Sequence, residues 1–195
     1  MDAQQWDERY AAAQQWSDEP NALAASILGQ LPPGRALDLA AGEGRMALWL
    51  ARRGWQVSAL DFSPVGLERG KARAQALGVD VDWQVADATT ADLTAGHFDL
   101  VLVLYLHLPR AALLPVLTRA AAAVAEGGRL LVLGHDRDNL KRGVGGPQDE
   151  DLLYDHDLLA AAAEELAVER LEQVGRTVED ATAVDTLLVA HRPRP

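Results

Sequence analysis

The chain has 195 residues, 49% of them hydrophobic and 24% charged, with a formal net charge of -11 and no cysteine. That length and composition suit one globular domain able to bury a core without staples. The acidic balance disfavours contact with nucleic-acid phosphates or anionic lipid, and the lack of thiols removes disulfides, thiolate nucleophiles and most structural zinc sites.

The N-terminal stretch MDAQQWDERY is polar and acidic and lacks the charged-then-apolar order of a secretory leader. Residues 3–15 combine Trp6, Tyr10 and an alanine cluster with polar side chains, the pattern of a short amphipathic helix. Ser17-Asp18-Glu19-Pro20-Asn21 reads as a loop into a second helix over Ala22–Gln30, which Pro32-Pro33-Gly34 stops. Strand and helix patterns then alternate. Arg35–Ala40 is β-type, Arg45–Arg53 helical and Gln56–Asp61 β-type again. Pro64–Leu77 is a helix with proline in its first turn and Gly78 as its stop. Val81–Asp87 and Phe98–Leu106 are the third and fourth strands, Arg110–Ala125 is an alanine-rich helix closed by Gly127-Gly128, and Arg129–His135 is the fifth strand. Asp136–Asp151 reads as a long glycine-rich loop, followed by a helix over Asp155–Ala167 and a hairpin of Val168–Arg176 with Ala183–Arg192. The longest apolar run, Leu100–Leu106, falls far short of a membrane span. Nearly continuous Val/Leu/Ala strands alternating with helices predict an α/β, doubly wound, mostly parallel sheet. No linker or repeat interrupts the chain, so residues 1–195 are expected to form a single domain, with 1–30 a helical cap or lid and 31–195 the core.

In such sheets ligands sit outside the carboxyl ends of the strands. The first strand ends in Asp38-Leu39-Ala40-Ala41-Gly42-Glu43-Gly44. Gly42 and Gly44 let the backbone turn tightly and approach a ligand with no Cβ in the way, and Ala40 and Ala41 are small enough to do the same. Asp61 ends the next strand, about 20 residues after Gly42, where a carboxylate can accept hydrogen bonds from both hydroxyls of a ribose. The turn lacks the third glycine of the dinucleotide fingerprint GxGxxG. That departure and the absence of a Tyr-x-x-x-Lys pair count against a nicotinamide oxidoreductase.

The turn resembles the first motif of class I S-adenosylmethionine-dependent methyltransferases, acidic-x-G-x-G-x-G, with Ala40 where the first glycine usually stands. Further pieces follow in order. Ala86-Asp87-Ala88 resembles the position whose Asp meets the adenine amino group. Phe98-Asp99-Leu100-Val101 resembles the fourth-strand motif, and Gly127-Gly128-Arg129-Leu130-Leu131 the lead into the fifth strand. The resemblance implies a seven-stranded Rossmann-like fold with a C-terminal antiparallel hairpin, and S-adenosylmethionine as cofactor with S-adenosylhomocysteine as product. It implies cofactor contacts from Asp38, Ala40, Ala41, Gly42, Gly44, Asp61, Phe62, Asp87, Ala88 and Leu104.

The methyl acceptor belongs beyond the ends of the fourth and fifth strands. His135, with Asp136 beside it, and His107 are the candidate catalytic groups. Tyr10, Trp16 and Tyr105 are candidates for the substrate site or lid, and the glycine-rich residues 139–148 for a second flap. No His/carboxylate spacing argues for a metal. The expected acceptor is a small molecule. The N-terminal WDERY…W…EPN before the core resembles small bacterial enzymes of the tellurite-resistance and thiopurine S-methyltransferase type, which implies a thiol or chalcogen acceptor. An O- or N-methyltransferase using a His base and a non-catalytic cofactor binder are the alternatives. The whole reading is of a cytoplasmic protein, a monomer or homodimer, that binds neither nucleic acid nor membrane.

Overall fold

The structure, a computed structural model, describes residues 3–15 and 17–194. Trp16, expected in the lid, lies outside the described residues. The chain divides into two compact units, Met1–Asp92 and Leu93–Pro195.

The first unit holds α1 (Ala3–Ala12), α2 (Ala22–Leu28), β1 (Arg35–Leu39), α3 (Arg45–Ala51), β2 (Gln56–Asp61), α4 (Pro64–Leu77) and β3 (Asp82–Val85). Its strands run parallel in the order β3-β2-β1, with Asp38 level with Ala59 and Asp61 level with Val85. Asn21 caps α2 by accepting from the Ala24 amide at 3.0 Å, and Ser63 caps α4 by accepting from Gly66 at 3.0 Å. Gly78 ends α4 in a left-handed conformation. Leu37 and Leu39 of β1, Ala59 and Leu60 of β2, and Met46, Ala47 and Leu50 of α3 form the buried centre.

The second unit holds β4 (Phe98–Leu104), α5 (Arg110–Ala122), β5 (Val124–His135), α6 (Asn139–Arg142), a 3-10 turn at Glu150–Leu152, α7 (His156–Ala162), β6 (Ala167–Val178) and β7 (Ala181–His191). β4 and β5 are parallel; β7 pairs antiparallel with β5 and with β6. Leu100–Val103 and most of Leu130–Ala190's paired positions on β5 and β7 are buried, which is why these runs are apolar at nearly every residue. Together the strands make a seven-stranded, mostly parallel sheet with an antiparallel end, the α/β class the alternation demanded.

Element ends differ from expectation in informative places. β4 stops at Leu104 because Tyr105 takes a positive φ of 56°. The fifth strand starts at Val124, five residues early, so Gly127-Gly128 lies inside it. The Gly127 amide donates to Arg192 O at 2.8 Å and the Arg192 amide to Gly128 O at 3.0 Å. The pair therefore marks an irregularity within a strand rather than a helix stop. Among the described residues no helix is long and apolar enough to cross a membrane.

Candidate active site

Past β1 the chain reverses into α3 through three positive-φ residues, Ala40 at 62°, Gly42 at 58° and Gly44 at 74°. Glycine adopts that region freely, whereas Ala40 holds it at a cost of about 1 kcal/mol. The Ala41 amide donates to Leu60 O at 3.0 Å, hanging the turn on the end of β2. The two glycines then do different work. The Gly42 amide donates to Asp61 Oδ2 at 2.8 Å. At Gly44 a Cβ would stand 2.4 Å from the Trp83 ring, and at Gly70 one would stand 2.5 Å from the same ring. Gly44's missing side chain thus seats an indole from β3.

Asp38, Asp61 and Asp87 mark the ends of the three strands here. Asp38 is buried, accepts from the Ala47 amide at 3.0 Å and so braces the start of α3; burial pushes its carboxyl up to about 7. Asp61 is also buried, its Oδ1 accepting from the Ser63 amide at 2.9 Å and its Oδ2 from Gly42. Burial raises its carboxyl above the usual range against the pull of these amides. Phe62 follows it, half-buried. The Ala86 amide donates to Asp61 O at 3.0 Å, which sets Asp87 one strand along. Asp87 is exposed, and its Oδ1 takes both the amide and the hydroxyl of Thr89, at 2.8 and 2.7 Å, while Ala88 beside it is buried.

α1 and the residues just after it are tied to the same region. Asp7 accepts from the hydroxyl of Ser63 and, at 3.4 Å, from the Val65 amide. Glu43, between the two glycines and 2% exposed, accepts from the Gln15 amide at 2.9 Å and from Arg69 at 3.2 Å. Tyr10 is buried, stacks on Trp6 and lies against Gly66, where a Cβ would meet its ring at 3.0 Å. Tyr10 is therefore an anchor of α1 on α4.

In the second unit Leu104 and Tyr105 end β4. The Tyr105 hydroxyl donates to Asp185 Oδ2 at 2.7 Å, and Arg176 Nε donates to that oxygen at 2.9 Å and to the Tyr105 oxygen at 3.0 Å. Burial and the Asp185 charge hold the Tyr105 phenol well above its ordinary value, so it keeps its proton. Asp185 is 1% exposed. Burial alone would raise its carboxyl; His135, Tyr105 and Arg176 more than offset this and hold it below the usual carboxylate range. Its Oδ1 lies 3.0 Å from His135 Nδ1, off the line of a straight hydrogen bond, and neither atom has another partner among the described residues.

His107 Nδ1 lies 2.8 Å from Leu152 O. A carbonyl only accepts, so Nδ1 carries the hydrogen and Nε2 is the bare nitrogen of a neutral ring. Burial lowers this imidazole to about 4. Its ring stacks on His135, centroids 5.3 Å apart at 17°.

The expected pairing of His135 with Asp136 does not form, because successive strand residues face opposite sides. Asp136 turns instead to the Thr186 hydroxyl at 2.5 Å, Gln173 at 2.9 Å and the Asp138 amide at 2.7 Å. The carboxylate beside His135 is Asp185, its register partner on β7. The glycine-rich stretch lies against the same histidine. Asn139 donates to Gly145 O at 2.9 Å and accepts from the Val184 amide at 2.7 Å, and a Cβ on Gly146 would stand 2.5 Å from the His135 ring.

Residues 36–128 match the profile of a methyltransferase domain. A demethylmenaquinone methyltransferase of Thermus thermophilus is 37% identical over 112 residues, 56% of this chain and 51% of the relative. An uncharacterized protein of Mycobacterium tuberculosis is 43% identical over 68 residues, 35% of this chain and 25% of the relative. The chain thus spans from a quarter to about half the length of these curated relatives. Among solved structures, TehB from Haemophilus influenzae superposes with a TM-score of 0.77 at 12% identity, over 96% of this chain and 67% of that one. A SAM-dependent methyltransferase of Methanosarcina mazei gives 0.72 at 12%, over 91% and 100%. This is a class I methyltransferase fold.

The cofactor of the methyltransferase fold is S-adenosylmethionine, and the first unit's residues fit it. Each oxygen of Asp61 holds an amide and keeps acceptor capacity, enough for the two hydroxyls of a ribose, beside a turn that has no side chain at Gly42. Among the described residues no group of three or more His, Cys, Asp or Glu side chains is placed to hold a metal ion. Sequence reading passed over Glu43, Trp83, Asp185 and Arg176. Asp185 alone had a visible signal, a carboxylate inside the apolar run AVDTLLVA.

Proposed function

We propose that the protein transfers the sulfonium methyl of S-adenosylmethionine to a small-molecule acceptor, with residues 1–30 as a cap over the catalytic core. The observation that carries this reading is Asp61. A buried carboxylate joined to the amide of a left-handed glycine turn, at the ends of adjacent parallel strands, matches a ribose diol in both chemistry and place. When bound, the cofactor supplies an already activated methyl group, so the chain's task is to hold and orient both partners and to manage a proton. Asp61 holds the ribose and Asp38 keeps α3 in register with the turn. Asp87 and Ala88 serve the adenine end, with Phe62 as an apolar neighbour. The demethylmenaquinone methyltransferase among the relatives supports an acceptor of small size.

One observation favours an oxygen or nitrogen acceptor over a thiol or chalcogen. A thiolate needs no base, whereas His135 has the Asp185 carboxylate 3.0 Å behind its Nδ1, an arrangement suited to accepting a proton at Nε2. In this reading His135 is the base and Asp185 its positioning residue.

Calorimetric titration with S-adenosylhomocysteine, alongside NAD and NADP, tests the cofactor. The expected result is micromolar binding of S-adenosylhomocysteine alone, weakened by about 1–3 kcal/mol in Asp61→Ala. Binding of a nicotinamide cofactor instead, or unchanged affinity in that variant, overturns the assignment.

A further inference from the structure

We infer that His107 is a specificity residue whose bare Nε2 accepts a hydrogen bond from a hydroxyl group of the bound small molecule, so that the acceptor is a neutral, hydroxyl-bearing ring compound. The inference rests on the methyl-transfer reading only in calling that molecule the acceptor.

The Leu152 carbonyl fixes the tautomer, leaving a lone pair at Nε2. That nitrogen is buried and has no hydrogen-bond partner among the described residues. Leaving a buried acceptor unpaired costs about 1–3 kcal/mol, and native structures leave few such atoms without a reason. A ligand donor removes the cost. The position agrees, since His107 follows the carboxyl end of β4, where sheets of this kind take ligands.

The surroundings choose the donor. The titratable groups around His107 are His135, stacked on it, Tyr105 at 6.4 Å, Tyr154 edge-on at 5.6 Å, and the buried Asp185 carboxylate that acts on it through space. Tyr154 is already engaged, donating to Leu106 O at 2.6 Å, and Tyr105 donates to Asp185. Neither phenol is left to satisfy Nε2. A carboxylate or thiolate ligand has no proton to offer it. A neutral hydroxyl offers the proton and adds no charge. The rings of Tyr105, His107 and His135 lie 5.2–6.4 Å apart, centroid to centroid, an aromatic lining that favours a flat ring carrying that hydroxyl.

The test is side-chain nitrogen NMR of the histidines at pH 7, with and without S-adenosylhomocysteine, titrated with phenol and then with anisole, which keeps the ring and lacks the donor. The expected result is an Nδ1–H tautomer at His107 and an Nε2 resonance that phenol shifts saturably and anisole does not. His107→Phe is expected to bind phenol about tenfold more weakly, the loss of one hydrogen bond, while S-adenosylhomocysteine affinity stays within about twofold. An Nε2–H tautomer, no shift with phenol, or an equal shift with anisole overturns the inference, and the wild-type spectra decide it even where the variant fails to fold. A phenol shift in a protein that does not bind S-adenosylhomocysteine would keep the hydroxyl site and reject the methyl-transfer reading instead.

Discussion

In the first unit the groups offered to a ligand are set by backbone: a turn of positive-φ residues, a bare Gly42 and one carboxylate at the next strand end. In the second they are side chains from β4, β5, β6 and β7, namely Tyr105, His135, Arg176 and Asp185, converging on one buried carboxylate. Outside Asp61, such a site tolerates changes of side chain but not of glycine. A side-chain site depends on every partner, because Tyr105, His135 and Arg176 all face the one carboxylate of Asp185.

The sharpest way to break this contrast is Asp185→Ala. It strands Tyr105, His135 and Arg176 around an empty position and is expected to cost about 3 kcal/mol of stability, less than a fully buried pair because Arg176 is partly exposed. Urea unfolding measures the loss. S-adenosylhomocysteine affinity is expected to stay nearly unchanged, and a matching loss there would end the division of labour between the units.

Gly44→Ala is the counterpart in the first unit. The new Cβ meets Trp83 at 2.4 Å at a φ of 74°, for an expected cost of about 2–3 kcal/mol from overpacking and strain. Here cofactor affinity is expected to fall with stability, which paired calorimetry and unfolding would show.

The units also contribute opposite pH slopes. Asp38 has a folded value raised from 3.8 to about 7, so its stabilising contribution is full below 3.8 and disappears as pH rises through 7. His107 has a folded value lowered from 6.5 to about 4, so the unfolded chain binds more protons between them and stability is lost as pH falls across that window. Between pH 4 and 6.5 the stability difference from wild type is expected to slope one way for Asp38→Asn and the other way for His107→Gln, both read from urea midpoints. Parallel slopes would refute these assignments.

The smallest effect is expected at Ala40→Gly. Relief of the strained φ of 62° and the added freedom of the unfolded chain nearly cancel, leaving a net change below about 1 kcal/mol in thermal unfolding.

The legibility of the two sites in the sequence follows the same line. β1, the glycine turn and Asp61 were readable because local backbone demands restrict residue type. Positive φ calls for glycine, and a parallel strand buried on both faces calls for a continuous apolar run. Trp83 and Glu43 escaped notice because their partners, Gly44 with Gly70 and Gln15 with Arg69, are distant in sequence. His135 was found from its strand end, yet its carboxylate was assigned to the neighbour Asp136. The pleat sends that side chain to the other face.

By itself, then, the amino-acid order determined the alternation of strands and helices, the glycine turn after β1 and the acidic residue that ends the next strand, because each is a short-range consequence of backbone sterics and hydrophobic period. Tertiary structure alone decided which carboxylate serves His135 and which nitrogen of His107 is left bare. Those outcomes depend on the register of β5 against β7 and on where the carbonyl of Leu152 comes to rest, and neither is written in any local pattern.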